Sequence, residues 1–112
     1  VRYMIDYEKD YYLIPKVLYT DPHYIFLSDK ARLTYAILCD EQRKAAERGQ
    51  FDENGDVYIE FSNKGLLRIL QCSKPTFIYY RNALELCGLI ECEQRISETR
   101  GSLPTRIYIK EI

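Results

Sequence analysis

The sequence contains a single histidine, and this scarcity removes several classes of chemistry at once. His23 is the only histidine among the 112 residues. The sequence therefore gives no support for a Ser-His-Asp or a Cys-His catalytic site. A glycine-rich loop followed by lysine and a hydroxyl residue is also absent, which argues against a nucleotide-phosphate site. We therefore expect a protein that is not an enzyme and that uses no cofactor.

The sequence also lacks the paired cysteines of a zinc site. Cys39, Cys72, Cys87 and Cys92 form no C-x-x-C pair, whereas zinc sites usually combine paired cysteines with histidines. Three of the four occupy positions that look buried in helices or in a strand. Reduced core thiols in a cytoplasmic protein explain them most simply, so we expect no metal site and a cytoplasmic location.

Long apolar runs are missing as well, since no stretch approaches the ~20 residues of a membrane helix. No signal-peptide pattern opens the chain. An apolar content of 46% and a charged content of 29% are typical of a soluble globular protein. We predict a loosely ordered lead-in over residues 1–10 and one domain over 11–112. Because the chain starts at Val1 and ends abruptly, we expect it to be the N-terminal part of a longer protein.

The strongest pattern in the sequence lies between residues 62 and 90. Ser62 is a candidate N-cap for a helix whose apolar residues recur at helical spacing, and a tight turn follows. Ser73 can cap a second helix, predicted over residues 73–87, and Gly88 suits its C-terminal end. Helix, tight turn, helix is the helix-turn-helix pattern, whose second helix enters the major groove of DNA.

The charge of this stretch supports a nucleic-acid partner. Four basic residues and no acidic residue lie between Phe61 and Leu84, although the whole chain has a net charge of −1. The positive charge is therefore local, in the place where phosphate contacts would be made. An ordinary helical hairpin with solvated lysines and arginines is the structural alternative.

The rest of the chain predicts the elements of an α+β winged helix-turn-helix domain. In chain order these are a long helix over 29–48, a strand over 57–61, a strand over 89–95, a polar loop over 96–104 and a strand over 105–110. Together with the helix-turn-helix they make a three-helix core, a small antiparallel sheet and a β-hairpin wing. The wing, over 95–106, has more basic than acidic residues and is expected to contact the DNA backbone.

Candidate DNA-contacting residues come from the second helix, from its approach and from the wing. Lys74 and Thr76 lie at the N-terminal end of the helix, where base edges or phosphates are commonly contacted. Asn82 has the amide that pairs with adenine, although a plain surface position explains it equally well. The full set is Lys64, Ser73, Lys74, Thr76, Tyr79, Arg81, Asn82, Arg95, Arg100 and Arg106. A DNA-nicking role for Tyr79-Tyr80 is not expected, because clustered metal ligands are missing.

Six short motifs carry a resemblance to a known family. They are YLIPKVL at 12–18, LSDKARLTY at 27–35, DENGDVYI at 52–59, CSK at 72–74, GLI at 88–90 and PTRIY at 104–108. In this order they resemble the N-terminal domain of the RepA family of plasmid replication initiators, from Tyr11 to Ile109. The resemblance implies an initiator that binds repeated double-stranded sites at a plasmid origin. It also implies recruitment of host replication proteins through a C-terminal region that this chain does not include.

Two other functions fit the same predicted fold. A transcriptional regulator would use the helix-turn-helix at a promoter operator. A protein-interaction or homodimerisation module would use the many tyrosines, which are favoured at interfaces, and Glu91 and Glu93 on the wing strand. No membrane partner is expected.

Overall fold

The computed structural model of the protein describes residues 10–60, 64–97, 99, 101–110 and 112. The predicted lead-in, apart from Asp10, and the predicted cap Ser62 lie outside these residues. The elements are α1 (Val17–Thr20), a 3-10 turn (Pro22–Tyr24), α2 (Asp29–Glu47), β1 (Ile59–Glu60), α3 (Lys64–Leu70), α4 (Lys74–Leu86), β2 (Ile90–Ser97) and β3 (Gly101–Ile109). The predicted α+β winged helix-turn-helix is confirmed, with α1 and the 3-10 turn preceding it.

Helix α2 begins and ends with local signals that the sequence carries. The Ser28 hydroxyl accepts a hydrogen bond from the backbone N–H of Ala31 at 3.1 Å, which satisfies one of the free first-turn donors. At the other end Gly49 takes a left-handed conformation with φ of 73°. Glu41 and Ala45 are buried, so the second half of the helix also packs against the domain despite its charged sequence.

The core lies where α2, α3 and α4 meet the inner face of the sheet. Its largest fully buried side chains come from every layer of the domain: Leu18, Ile37, Leu38, Leu66, Leu70, Phe77, Leu84, Leu89, Ile90 and Ile107. Each such side chain contributes roughly 1.5–3 kcal/mol by leaving water. This shared core fixes the position of α4 relative to the wing.

The three strands form an antiparallel sheet in the order β1-β3-β2, so β3 is central. On the inner face, Ile107 of β3 stands opposite Ile59 of β1 and Cys92 of β2. Because neighbouring residues of a strand point to opposite faces, Arg106 lies on the other side. There it stands opposite Glu60 and Glu93. We call this side, which carries Glu60, Glu91, Glu93, Arg106 and Tyr108, the outer face of the sheet.

The wing strands are longer than the sequence predicts. Most of the predicted loop over 96–104 is strand, and the hairpin closes with Ser97 opposite Gly101. The register shifts between Glu93 and Arg95, where β3 carries Pro104 and Thr105 against one residue of β2. A bulge tolerates proline, which has no N–H for the ladder, so Pro104 does not end the strand. Conversely, β1 is shorter than the predicted strand over 57–61.

Candidate nucleic-acid interface

The turn between α3 and α4 is closed by two backbone hydrogen bonds. The N–H of Gln71 donates to the carbonyl of Arg68 and the N–H of Cys72 to that of Leu67, each at 3.2 Å. This paired arrangement is the Schellman motif, which requires a left-handed residue, usually glycine. Gln71 fills that position with φ of 52°. The motif reverses the chain within three residues and so sets the position of α4 beside α3.

Helix α4 begins at a hydroxyl cap, as predicted. The Ser73 Oγ lies 3.4 Å from the backbone nitrogen of Thr76, which donates to it, and 3.0 Å from the Thr76 Oγ1. Pro75 occupies the first turn, where its missing N–H removes no intrahelical bond. Both hydroxyls therefore hold the start of the helix, while the Lys74 side chain beside them is exposed.

The two sides of α4 differ in burial. Phe77 and Leu84 are buried in the core. The opposite side presents residues at positions i, i+3, i+4, i+7 and i+11, which share one face of a helix. They are Pro75, Ile78, Tyr79, Asn82 and Leu86, and we call them the outer stripe of α4. Tyr79 is 70% exposed and Leu86 is 83% exposed, and Ile78 is half-buried.

Basic side chains lie around the outer stripe. Lys74 and Arg68 are exposed, and Arg81 is half-buried. The Arg81 Nη2 donates to the Asn82 Oδ1 at 3.4 Å, so the guanidinium lies next to the stripe. The sequence places no carboxylate between Lys64 and Leu84. The surface therefore has the positive charge that phosphate groups attract.

The first carboxylate after this stretch is turned toward the sheet. The Glu85 Oε2 accepts a hydrogen bond from the backbone N–H of Cys92 at 2.9 Å and ties α4 to β2. Burial and the neighbouring Glu85 raise the pKa of the Cys92 thiol to about 11. The thiol is therefore protonated at neutral pH and adds no negative charge near the helix.

The wing contributes fewer described cations than predicted. Arg95 is half-buried on β2 opposite Leu103. Arg100 lies outside the described residues, and for Lys64 the structure describes only the backbone, as the first residue of α3. Among the described wing residues, Arg95 is thus the candidate nearest the end of the hairpin.

Arg106 is not part of the surface around α4. Its side chain lies on the outer face of the sheet and the residue is only 8% exposed. The Nη1 atom is 3.4 Å from the Glu53 Oε2, and the guanidinium lies 4.2 Å above the Tyr58 ring. Glu60 and Glu93 stand opposite it on the flanking strands. The guanidinium is therefore paired with Glu53 and stacked on Tyr58 within the fold, whereas the sequence pattern groups Arg106 with the wing contacts to DNA.

The turn over residues 52–56 covers this side of the sheet. The Tyr108 hydroxyl donates to the Asp52 Oδ2 at 2.9 Å, and the Asp52 Oδ1 accepts from the backbone N–H groups of Asn54 and Asp56, both at 2.9 Å. These hydrogen bonds, that of Asp56 first, lower the pKa of the Asp52 carboxyl. The turn is thus hydrogen-bonded to the outer face of the sheet and does not belong to the surface around α4.

Two features are absent from the described part of the chain. No group of three or more histidine, cysteine, aspartate or glutamate side chains is placed to hold a metal ion. No described helix is long and apolar enough to cross a membrane.

The structure adds members to the surface that sequence reasoning left out. Arg68 on α3 is exposed near the turn, and Leu86 completes the outer stripe. The signal for Leu86 is its spacing of eleven residues from Pro75, three helical turns along the same face. Thr76, by contrast, is half-buried and bonded to Ser73, so its hydroxyl already has a structural role.

Comparisons with known proteins agree on one kind of protein. The sequence model of the family described as Replication initiator protein A (RepA) N-terminus matches residues 10–112. The fold is similar to a solved N-terminal domain of a DNA-binding protein, at 29% identity and a TM-score of 0.79, over 99% of this chain and 84% of that one. A Rep–DNA complex is similar at 29% identity and a TM-score of 0.75, over 98% and 84%. An MDR initiator is similar at 26% identity and a TM-score of 0.75, over 94% and 79%. A comparison with curated protein sequences finds no match.

Proposed function

The chain belongs to the family of replication initiator protein A N-termini, and we propose that it is a double-stranded DNA-binding domain of a plasmid-type initiator. Three observations support this proposal. The fold carries a helix-turn-helix and a wing, a similar solved structure is a Rep–DNA complex, and the surface around α4 is basic.

In this proposal the recognition helix over residues 73–87, which contains α4, enters the major groove. Lys74, Arg68 and Arg81 contact phosphates beside the groove, because they flank the outer stripe without an intervening carboxylate. Asn82 and Tyr79 face the base edges. Arg95 on the wing lies along the backbone of the same duplex, where it positions the helix without reading sequence.

One observation carries the proposal. The side of α4 that faces away from the core is exposed, and the stretch from Lys64 to Leu84 has cations but no carboxylate, in a chain of net charge −1. A solvated surface gains nothing from such separation of charge, whereas a polyanion is attracted by it.

The role in initiation extends the proposal beyond this domain. By analogy within the family, the domain binds repeated sites at an origin, and a C-terminal region recruits host replication proteins. Footprinting on the DNA that surrounds the gene tests this step. Repeated protected sites support an initiator, whereas a single protected operator upstream of a promoter supports a transcriptional regulator.

Fluorescence anisotropy with the 112-residue chain tests DNA binding itself. A duplex selected by the protein from a randomised pool is compared with a scrambled duplex of equal length across a series of salt concentrations. We expect tighter binding to the selected duplex, with affinity falling as salt rises, because bound phosphates release counterions. Lys74→Glu is the matched control and should weaken binding to both duplexes. Equal, salt-independent affinities would contradict the proposal.

A second function, association of two copies, has its own support. Several large apolar side chains near the start of the described chain are exposed, among them Tyr11, Tyr12, Leu13, Ile25 and Phe26. Such a surface is typical of protein interfaces. Sedimentation equilibrium of the chain, with and without the selected duplex, separates the two functions, since a dimer that binds no DNA would favour the interaction module.

A further inference from the structure

The outer stripe of α4 has an unusual composition for a surface surrounded by cations. Pro75, Ile78, Tyr79 and Leu86 are apolar or aromatic, and Asn82 is the single amide. Arginine, lysine and carboxylate side chains lie beside the stripe and not within it. The charges that attract DNA and the groups that would face its bases are thus separate sets of residues.

The four bases differ in the side chains that bind their edges in the major groove. Guanine is usually read by arginine or lysine, and the amino group of cytosine by a carboxylate. Adenine is read by asparagine or glutamine, and the C5-methyl group of thymine by apolar side chains. The outer stripe contains the groups for adenine and thymine and lacks those for guanine and cytosine.

Resting on the proposed DNA-binding function, we infer that the outer stripe selects A·T base pairs, with Ile78 and Tyr79 against thymine methyl groups and Asn82 on adenine. A helix rises about 1.5 Å per residue, so Pro75 and Asn82 are about 10 Å apart along α4. Base pairs are stacked about 3.4 Å apart. The stripe from Pro75 to Asn82 is therefore about as long as three stacked base pairs.

The contact between Arg81 and Asn82 is compatible with this assignment. The Asn82 Oδ1 accepts from the Arg81 Nη2 at 3.4 Å. A carbonyl oxygen has two lone pairs, so Oδ1 can also accept from the adenine amino group while the amide nitrogen donates to adenine N7. Arg81 thus orients the amide toward the groove.

Exposed apolar groups also suit a protein partner, but their surroundings favour DNA. Lys74 is exposed one helical turn before Ile78, and Arg68 is exposed on α3. Arg81 touches Asn82, a member of the stripe. An apolar protein surface would have to desolvate these cations, whereas phosphates on both sides of a major groove would pair with them.

Removal of thymine methyl groups tests the inference directly. The 112-residue chain selects a duplex from a randomised pool, and the three adjacent base pairs that are most strongly enriched define the contacted triplet. The selected duplex is then resynthesised with uracil in place of thymine, first within this triplet and then only in the flanks. We expect an A·T-rich triplet. Each contacted methyl that is removed should weaken binding about fourfold, as expected for one buried carbon group of about 0.8 kcal/mol, and replacement in the flanks should change nothing.

Two variants connect the effect to the stripe. Tyr79→Ala should abolish the difference between thymine and uracil at its position, while Tyr79→Phe, which keeps the ring, should retain it. Because Tyr79 is 70% exposed, both variants should fold, and circular dichroism checks that they do. A selected triplet of G·C pairs, or equal affinity for the thymine and uracil duplexes, overturns the inference while leaving DNA binding intact. If no duplex is enriched from the pool, the proposed function itself fails, and the inference fails with it.

Discussion

The surface around α4 and the outer face of the sheet both contain cations, yet they use them in opposite ways. Around α4, Lys74 and Arg68 are exposed, and the sequence from Lys64 to Leu84 has no carboxylate. On the outer face of the sheet, Arg106 is buried among Glu53, Glu60 and Glu93 and lies over the Tyr58 ring. The first arrangement presents positive charge at the surface, whereas the second buries it inside the domain.

The difference shows that the number of basic residues in a segment does not measure its capacity to bind DNA. A guanidinium that is already paired must first give up its partners before it can contact a phosphate. Strand register decides this for Arg106, because it sets which side chains stand opposite. The four predictions below test the contrast, beginning with the largest effect.

Arg106→Ala should lower the free energy of unfolding by about 2–3 kcal/mol, since it removes charged hydrogen bonds, a stacked contact and a buried stem. Urea denaturation measures this change. Arg106→Lys should recover only part of the loss, because lysine lacks the planar guanidinium. The salt dependence of DNA binding should not change in either variant. A normal unfolding free energy combined with a weaker salt dependence would place Arg106 on the DNA surface after all.

Asn82→Ala should weaken binding to the selected duplex by about 1–2 kcal/mol, within the range for a bidentate base contact. Binding to a scrambled duplex should change little, because no phosphate contact is lost. Anisotropy titrations with both duplexes provide the measurement. Asn82→Gln is a control that keeps the amide but places it one methylene group farther from the helix. An equal loss on both duplexes would show that Asn82 does not read sequence.

Lys74→Ala should reduce the slope of log affinity against log salt by about one, as expected for one released counterion. The free energy of unfolding should change by less than about 0.5 kcal/mol, because the side chain is exposed. Lys74→Arg preserves the charge and should preserve the slope. An unchanged slope in the alanine variant would remove Lys74 from the proposed phosphate contacts.

The smallest effect concerns the turn that covers the outer face of the sheet. Hydrogen bonds lower the pKa of Asp52 in the folded protein, so their stabilisation is fully present above the unfolded value of about 3.9. It is lost as the pH falls through the lower, folded value. Asp52→Asn removes this ionisation, so the stability difference between variant and parent should shrink below about pH 4. Urea midpoints between pH 3 and 7 would show this, and a difference independent of pH would contradict it.

The helical elements could be predicted well because their signals are local. The caps Ser28 and Ser73 and the terminator Gly88 act within a few residues of their own positions, so a short window of sequence contains the physical cause. Gln71 shows the limit of this reasoning. It takes the left-handed conformation that glycine usually supplies, and the residue type alone does not predict the two backbone hydrogen bonds that close the turn around it.

The wing was predicted less well because its structure depends on pairing between distant residues. Pro104 suggested a loop, but a bulge at this position lets β3 continue. The surroundings of Arg106 could not be predicted for a related reason, since Glu53 is far away in the sequence and Glu60 and Glu93 become its neighbours only in the sheet.

By itself, the sequence determined the helix-turn-helix, the order of the elements, the local positive charge and the family to which the chain belongs. Each of these depends on periodicity, capping or composition, which are properties of neighbouring residues. Only the tertiary structure decided which cations remain exposed and which, like Arg106, are buried beside carboxylates of other segments. Burial and charge pairing are settled by residues that folding brings together, and for Arg106 those residues lie on three different segments of the chain.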